Sequence, residues 1–187
     1  RGNYPNVYQY LHNKKNDLSG RGYFDKSTKS WYELWNQRKE STFNEIKIVT
    51  LDNAHKNSFA IDYAGFFNTT TVYNLKLLDD REDNYLFILG LLNSSVLNYY
   101  HKKNTIPQAG GYFRYQAIFI NDLPVIKYNQ RNKLHVNIKK AVKEINILEK
   151  DISKSSTSNL KDEIDQLVYQ LYDLTGEEIQ SIENNIG

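Results

Sequence analysis

The 187-residue chain has no cysteine, no methionine and three prolines. Without cysteine, neither a disulfide framework nor a thiolate zinc site can form. His12, His55, His101 and His135 are scattered, with no metal-ligand spacing, so no metal site is expected. There is no Gly-rich phosphate loop and no Gly-x-Ser-x-Gly elbow; Gly110-Gly111 is an isolated pair. No apolar run is long enough to span a bilayer: Tyr85 to Leu92 is short and is followed by Asn93-Ser94-Ser95. The opening Arg1-Gly2-Asn3-Tyr4-Pro5 lacks the apolar core of a signal peptide. With no methionine, residue 1 is not a translation start, and the sequence reads as a piece of a longer chain in a reducing cytoplasm.

Aromatics and charge asymmetry are what the chain does have. Fifteen Tyr, eight Phe and two Trp supply apolar faces with polar handles, which suit both cores and binding surfaces. The net charge of +2 conceals an uneven distribution. Residues 151–187 hold two basic side chains against eight acidic ones, a net of −6, which leaves +8 on residues 1–150. A basic body with an acidic tail is the profile of a protein that meets a polyanion with one part only.

Pro5 suits a first helical turn, followed by Val7, Tyr8 and Leu11 at helical spacing, with an end near Asn16. Residues 17–30 read as an exposed basic loop, and Trp31 to Trp35 as an aromatic knot. The β-branched and aromatic stretches 45–51, 58–63 and 66–75 read as strands, with Ala64-Gly65 as a tight turn. Residues 84–103 read as helix interrupted near Asn93-Ser94, and residues 112–120 as strand ended by Asp122-Leu123-Pro124. From Lys133 the apolar residues Leu134, Ile138, Ala141, Ile145, Leu148 and Ile152 form one heptad-like seam. Leu160, Ile164, Leu167, Leu171 and Leu174 form a second, across a turn at 153–159. The fold class is therefore α+β: a small mixed sheet-containing domain over residues 1–130, then a C-terminal antiparallel helical hairpin within 131–187. The hairpin's acidic face, with Asp162, Glu163 and Asp165, is expected to point away from any polyanion.

One constellation has catalytic chemistry. Glu45-Ile46-Lys47, with Asp25 upstream, offers the carboxylates and lysine of a Mg²⁺-dependent nuclease. The same tripeptide is common on solvent-facing strands. Two basic and aromatic clusters suit nucleic acid better. The first holds Lys14, Lys15, Arg21, Lys26, Lys29, Trp31, Trp35 and Arg38; the second holds His101, Lys102, Lys103, Gln108, Gly110, Gly111, Tyr112 and Arg114. Lysine and arginine neutralise phosphates, a Gly pair lets backbone approach a groove, and Gln108 and Arg114 have the fork geometry that reads base edges. Alternation would turn Tyr112 and Arg114 to one face, with Phe113 and Tyr115 anchoring the other. Arg114 would then read guanine, or tie down a phosphate or a neighbouring carboxylate.

Several segments in order resemble the TaqI-like specificity domain. They are Tyr4-Pro5-Asn6-Val7-Tyr8-Gln9-Tyr10-Leu11, Trp31-Tyr32-Glu33-Leu34, Glu45-Ile46-Lys47-Ile48-Val49, the stretch from Phe66-Phe67-Asn68-Thr69 to Val72-Tyr73, and Tyr85 to Ser94. Gly110-Gly111-Tyr112-Phe113-Arg114-Tyr115, Ile120-Asn121-Asp122-Leu123-Pro124 and a tail from Ile164 to Thr175 complete the set. The resemblance implies a target-recognition domain that holds duplex DNA, and it adds Asn68 and Thr69 to the contact residues. It implies a bacterial, cytoplasmic parent protein with an S-adenosylmethionine-dependent adenine methyltransferase domain, with Mg²⁺ if the parent also cleaves. The methyltransferase signature Asn-Pro-Pro-Tyr is nowhere in this chain, so the piece is expected to be non-catalytic, without cofactor or metal, and without membrane contact. A protein-interaction module acting through the helical hairpin stands as the alternative, and a nuclease using Glu45 and Lys47 as a more distant one.

Overall fold

The computed structural model describes residues 3–22, 26–34, 38–150 and 157–185. Asp25, Trp35 and most of the turn expected at 153–159 lie outside the described residues. The chain divides into two compact units, Arg1–Thr42 and Phe43–Gly187. Among the described residues no helix is long and apolar enough to cross a membrane.

In the first unit, α1 (Pro5–Asn13) starts on its proline, whose fixed φ and missing N–H suit a first turn. A second short helix, α2 (Lys15–Leu18), follows. The loop after it is not simply exposed and basic. Arg21 donates from Nε to the Leu18 carbonyl at 2.8 Å and from Nη2 to the Trp31 carbonyl at 2.8 Å, so it ties the two ends of the loop together. A 3-10 turn, Glu40–Thr42, closes the unit.

In the second unit, β1 (Lys47–Leu51) is flanked by β3 (Ala60–Asp62) and β4 (Val72–Leu75) in one antiparallel sheet. The second antiparallel sheet has the order β2 (Asn53–Ala54), β6 (Tyr112–Arg114), β5 (Pro107–Gln108). The α+β class holds, with two expectations corrected. Of the strand expected over 66–75, only residues 72–75 pair; Phe66 and Phe67 sit in an irregular loop at 71 % and 69 % exposure. The strand expected over 112–120 stops at Arg114 and gives way to α5 (Ala117–Asn121). Short β-branched and aromatic runs do not by themselves separate strand from loop or helix.

The apolar run at 84–92 is buried on every side, as part of α3 (Glu82–Asn93). The expected interruption falls at Ser94, whose side chain accepts from the Leu97 amide and starts α4 (Ser95–Asn104). On α3, Gly90 permits a close approach: an added Cβ would lie 2.6 Å from Ile138 and 2.9 Å from Val142. Those two residues belong to α6 (Lys133–Leu148), which packs on α7 (Ser158–Leu171) as the expected hairpin, with α8 (Gly176–Glu183) beyond. Ile138, Ala141, Ile145 and Ile164 of the expected seams are buried. Asp165 does not share the outward acidic face expected of it. It accepts from the Ser95 amide at 2.7 Å and the Ser95 hydroxyl at 2.5 Å, placing a carboxylate at the N-terminus of α4, where the helix dipole favours it.

Lys47 is buried and paired. Its ammonium donates to the Phe43 carbonyl at 2.8 Å and lies 2.5 Å from Asp62 Oδ2. Asp62 also accepts from the amides of Ala64, Gly65 and Phe66, and so folds the loop after β3. Glu45 is exposed and pairs with Lys76. Desolvation pushes the Asp62 carboxyl up, but Lys47 and the loop amides outweigh it and hold the pKa below its ordinary 3.8. A lowered carboxyl pKa adds stability above about pH 4 that is lost as pH falls through the folded value. Lys47→Ala strands a buried carboxylate and is expected to cost about 3–5 kcal/mol in urea unfolding. A Lys47→Ala cost under about 1 kcal/mol would show the pair to be dispensable.

Candidate nucleic-acid interface

The second expected cluster assembles on the β2–β6–β5 sheet. The β5–β6 hairpin turns through Gly110 and Gly111, with φ of 75° and 78°, a region where side-chain-bearing residues are strained. The register sets Asn53 opposite Arg114 and Gln108 opposite Tyr112. Directly opposed residues share a face, and residues two apart on one strand share it too. Asn53, Arg114, Tyr112 and Gln108 therefore line one face, and Ala54, Phe113 and Pro107 the other. Ala54 is buried, Phe113 packs against the core, and Tyr115, just after the strand, is fully buried. This is the alternation expected of residues 112–115, and it leaves the polar face outward.

Buried polar groups fix the backbone behind that face. The Arg114 carbonyl accepts from Thr105 Oγ1 at 2.6 Å and sits 2.8 Å from His101 Nε2. A carbonyl only accepts, so His101 carries its proton on Nε2. The His101 ring stacks on Tyr115 with centroids 4.1 Å apart. Tyr115 donates its hydroxyl to Asn57 Oδ1 at 2.9 Å, and Asn57 donates to the Leu92 carbonyl of α3 at 2.6 Å. His101, expected as part of a basic cluster, is thus a core residue. Burial lowers its pKa, against the hydrogen bond to Arg114.

The side chains of the outer face are engaged lightly. Arg114 Nη1 lies 3.7 Å from Asp52 Oδ2, which is the carboxylate alternative anticipated for it, with the side chain still 35 % exposed. Gln108 makes only a local contact, to the Pro107 carbonyl at 3.2 Å. Tyr112 packs on His55 with the rings tilted by 34° and centroids 3.8 Å apart, and His55 Nδ1 lies 3.2 Å from the Gly111 carbonyl, so His55 steadies the hairpin tip. Lys102 reaches over the Phe113 ring at 5.5 Å and Lys103 over Tyr99 at 5.2 Å. Asn53 and His55 belong to this site although the sequence places neither of them there. Strand pairing across sixty residues brings them in, and nothing local in the sequence signals it.

The other expected residues lie elsewhere. Asn68 and Thr69 are on the loop before β4, bonded to Asn74 at 2.6 Å and Thr71 at 3.0 Å. Lys14, Lys15, Arg21, Lys26, Lys29, Trp31 and Arg38 belong to the first unit. There Lys15 lies 5.7 Å over the Trp31 ring, Lys14 pairs with Asp17 at 3.9 Å, and Lys29 donates to the Leu34 carbonyl at 2.7 Å. Lys26 is exposed and Arg38 half-buried. Lys47 is committed to Asp62 and Glu45 to Lys76, so the Glu-x-Lys pair frames the first sheet instead of facing a shared metal.

The site is thus a polar strand face whose backbone is held from behind by His101 and Thr105. Residues 4–125 match the model of the TaqI-like C-terminal specificity domain, and the chain belongs to that family. It is a specificity domain of that type. The match ends before α6, so the helical hairpin, including the tail from Ile164 to Thr175 expected to resemble the family, lies outside it. The chain is also similar to the Type II methyltransferase M.BanIII of Aneurinibacillus aneurinilyticus, with 26 % identity over 99 residues. That alignment covers 52 % of this chain and 17 % of the relative.

Stability should depend on pH through His101. Above its ordinary 6.5 both states are neutral; below it the unfolded state takes a proton that the folded state resists. Stability is therefore lost as pH falls from 6.5 toward the lower folded value, by about 1.4 kcal/mol for each tenfold difference in proton affinity. His135, whose pKa is also lowered by burial, adds in the same sense. His101→Gln keeps a donor without titrating, and urea melts at pH 7.5 and 5.5 should differ less for it than for the parent chain. An unchanged difference would assign the effect to His135 alone.

Proposed function

We propose that this chain reads a specific sequence of duplex DNA through the outer face of the β2–β6–β5 sheet. It would do so as the non-catalytic specificity module of a bacterial restriction–modification protein. The observation that carries this is one face bearing Asn53, Arg114, Tyr112 and Gln108, held from behind by His101 and Thr105. A β-ribbon fits the major groove, where arginine pairs with guanine O6 and N7 and asparagine or glutamine with adenine N6 and N7. Lys102 reaches the ribbon at the Phe113 ring and Lys103 follows it on α4, while Lys14, Lys15 and Lys26 supply the first unit with positive charge for phosphates. The chemistry would belong to an S-adenosylmethionine-dependent adenine methyltransferase domain of the same protein, joined by a Mg²⁺-dependent nuclease domain if that protein cleaves. The target adenine would be flipped out of the stack there, with this module holding the duplex.

Geometry gives less support to the helical-hairpin reading. The buried apolar seam of α6 and α7 is spent on α3, where Ile138 and Val142 close over Gly90.

Titration of duplex DNA at several salt concentrations tests the phosphate-binding lysines. Changing Lys14, Lys15, Lys102 and Lys103 to Ala should weaken binding to all duplexes alike and flatten the log–log salt slope by roughly 0.9 for each phosphate no longer neutralised. An unchanged slope would remove these lysines from the interface.

Arg114→Ala tests the readout. Selection from a randomised duplex library should show preference relaxed at one base pair, by roughly 1–3 kcal/mol. An even loss of affinity across sites would make Arg114 a phosphate ligand. Unaltered affinity and preference would leave it as scaffold.

A further inference from the structure

Asp52 lies between β1 and β2 and therefore between the two sheets. Its amide donates to the Thr71 carbonyl at 2.8 Å, beside β4 of the first sheet. Its carbonyl accepts from the Tyr115 amide at 2.8 Å, just after β6 of the second. The backbone is thus pinned from both sides, and the side chain has little room to wander. Asp52 Oδ2 accepts from Asn53 Nδ2 at 3.0 Å and lies 3.7 Å from Arg114 Nη1. Its other oxygen, Oδ1, is buried without a hydrogen-bond partner. A half-buried carboxylate with one oxygen unpaired is costly, and a native protein that keeps one has a reason for it.

We propose that Asp52 is a positioning residue that aims two base-reading side chains, Asn53 and Arg114, at neighbouring base pairs. The inference rests on the DNA-reading role proposed above. Asn53 and Arg114 are opposed in register on the outer face, and both turn a donor toward the same carboxylate oxygen. An asparagine amide has two N–H groups and a carbonyl. One N–H held by Asp52 leaves the second N–H and the carbonyl, the pair that adenine N7 and N6 require. A guanidinium has five N–H donors, and one turned toward Asp52 leaves a fork for guanine O6 and N7. The 3.7 Å spacing exceeds a hydrogen bond, so the carboxylate steers the guanidinium by charge without occupying it. Fixing both rotamers before binding removes ordering cost from the complex, which sharpens discrimination more than it raises general affinity.

The test compares the full-length protein carrying this chain with its Asp52→Ala, Asp52→Asn, Asn53→Ala and Arg114→Ala variants, each selecting from a randomised duplex library. Asn53→Ala and Arg114→Ala should each relax a different, neighbouring position by about tenfold. Asp52→Ala should relax both positions by about threefold or more, with affinity for unselected DNA unchanged. Asp52→Asn is nearly isosteric and keeps an acceptor for Asn53, so it should relax the Arg114 position and spare the Asn53 position. Urea melts report whether each variant folds; Asp52→Asn decides the matter if Asp52→Ala does not. A folded Asp52→Asn variant with unchanged preference at the Arg114 position overturns the proposal, as does a uniform loss of affinity. A wild-type protein that selects no sequence defeats the DNA-reading role itself, which is a separate outcome.

Discussion

The amide and the carbonyl of Asp52 are given to different sheets, and the second unit hangs on that division. Thr71 takes the amide and Tyr115 supplies the donor for the carbonyl, so the two short sheets cannot move independently. Neither sheet is large enough to be stable alone, since strands of two to five residues bury little surface. Their stability comes from below. Tyr115 enters the core and is stacked on His101, and its hydroxyl is passed through Asn57 to the Leu92 carbonyl of α3. The Tyr115 hydroxyl and both ends of the Asn57 amide are paired, and pairing is the condition under which a buried network orders a core instead of weakening it.

Helix α3, apolar and buried around its circumference from Tyr85 to Leu92, is the other half of the arrangement. A helix buried around its whole circumference needs partners on every side. The first sheet and the residue leading into β3 supply one, through Ile48 and Phe59, and the C-terminal helices another, through Ile138, Val142 and Ile164 at Gly90. The helices α6 and α7 lie beyond the family match, yet they close the core that carries the matched sheets. Asp165 on α7 completes the N-terminus of α4, the helix whose far end supplies His101, Lys102 and Lys103. A tail that looks like an acidic appendage in the sequence is thus built into the support of the candidate site.

Local signals are legible in the sequence and long-range ones are not. Helical periodicity shows the hairpin and its seams, Ser94 shows the break between α3 and α4, and the Gly pair shows the turn at 110–111. Period-two alternation places Tyr112 and Arg114 outward. What fails are features that depend on residues far apart. The stretch 66–69 is rich in Phe and Thr, but Asp62 captures the amides of Ala64, Gly65 and Phe66 and diverts the chain before it can pair. Residues 117–120 are apolar enough for a strand and become α5 once β6 stops at Arg114. Lys47, Arg21 and His101 look like solvent-facing cations in the sequence; each is instead tied to backbone carbonyls or a carboxylate. Asn53 is invisible there because only the pairing with Arg114 brings it to the face.

The division between held and exposed cations has a consequence for recognition. A lysine over an aromatic ring, such as Lys102 or Lys103, keeps its charge and much of its freedom, which suits a phosphate whose position varies little with sequence. Arg114 differs in having its carbonyl doubly bonded, its amide held by the Ile106 carbonyl at 3.3 Å, and its guanidinium facing Asp52. A base edge offers its acceptors at fixed angles, and a side chain that must search for them loses part of the discrimination to ordering. Rigidity is therefore concentrated at the strand that carries Arg114, and the surrounding charge is left loose. Under the proposed function, that distribution assigns sequence readout to the β2–β6–β5 face and general electrostatic attraction to the lysines.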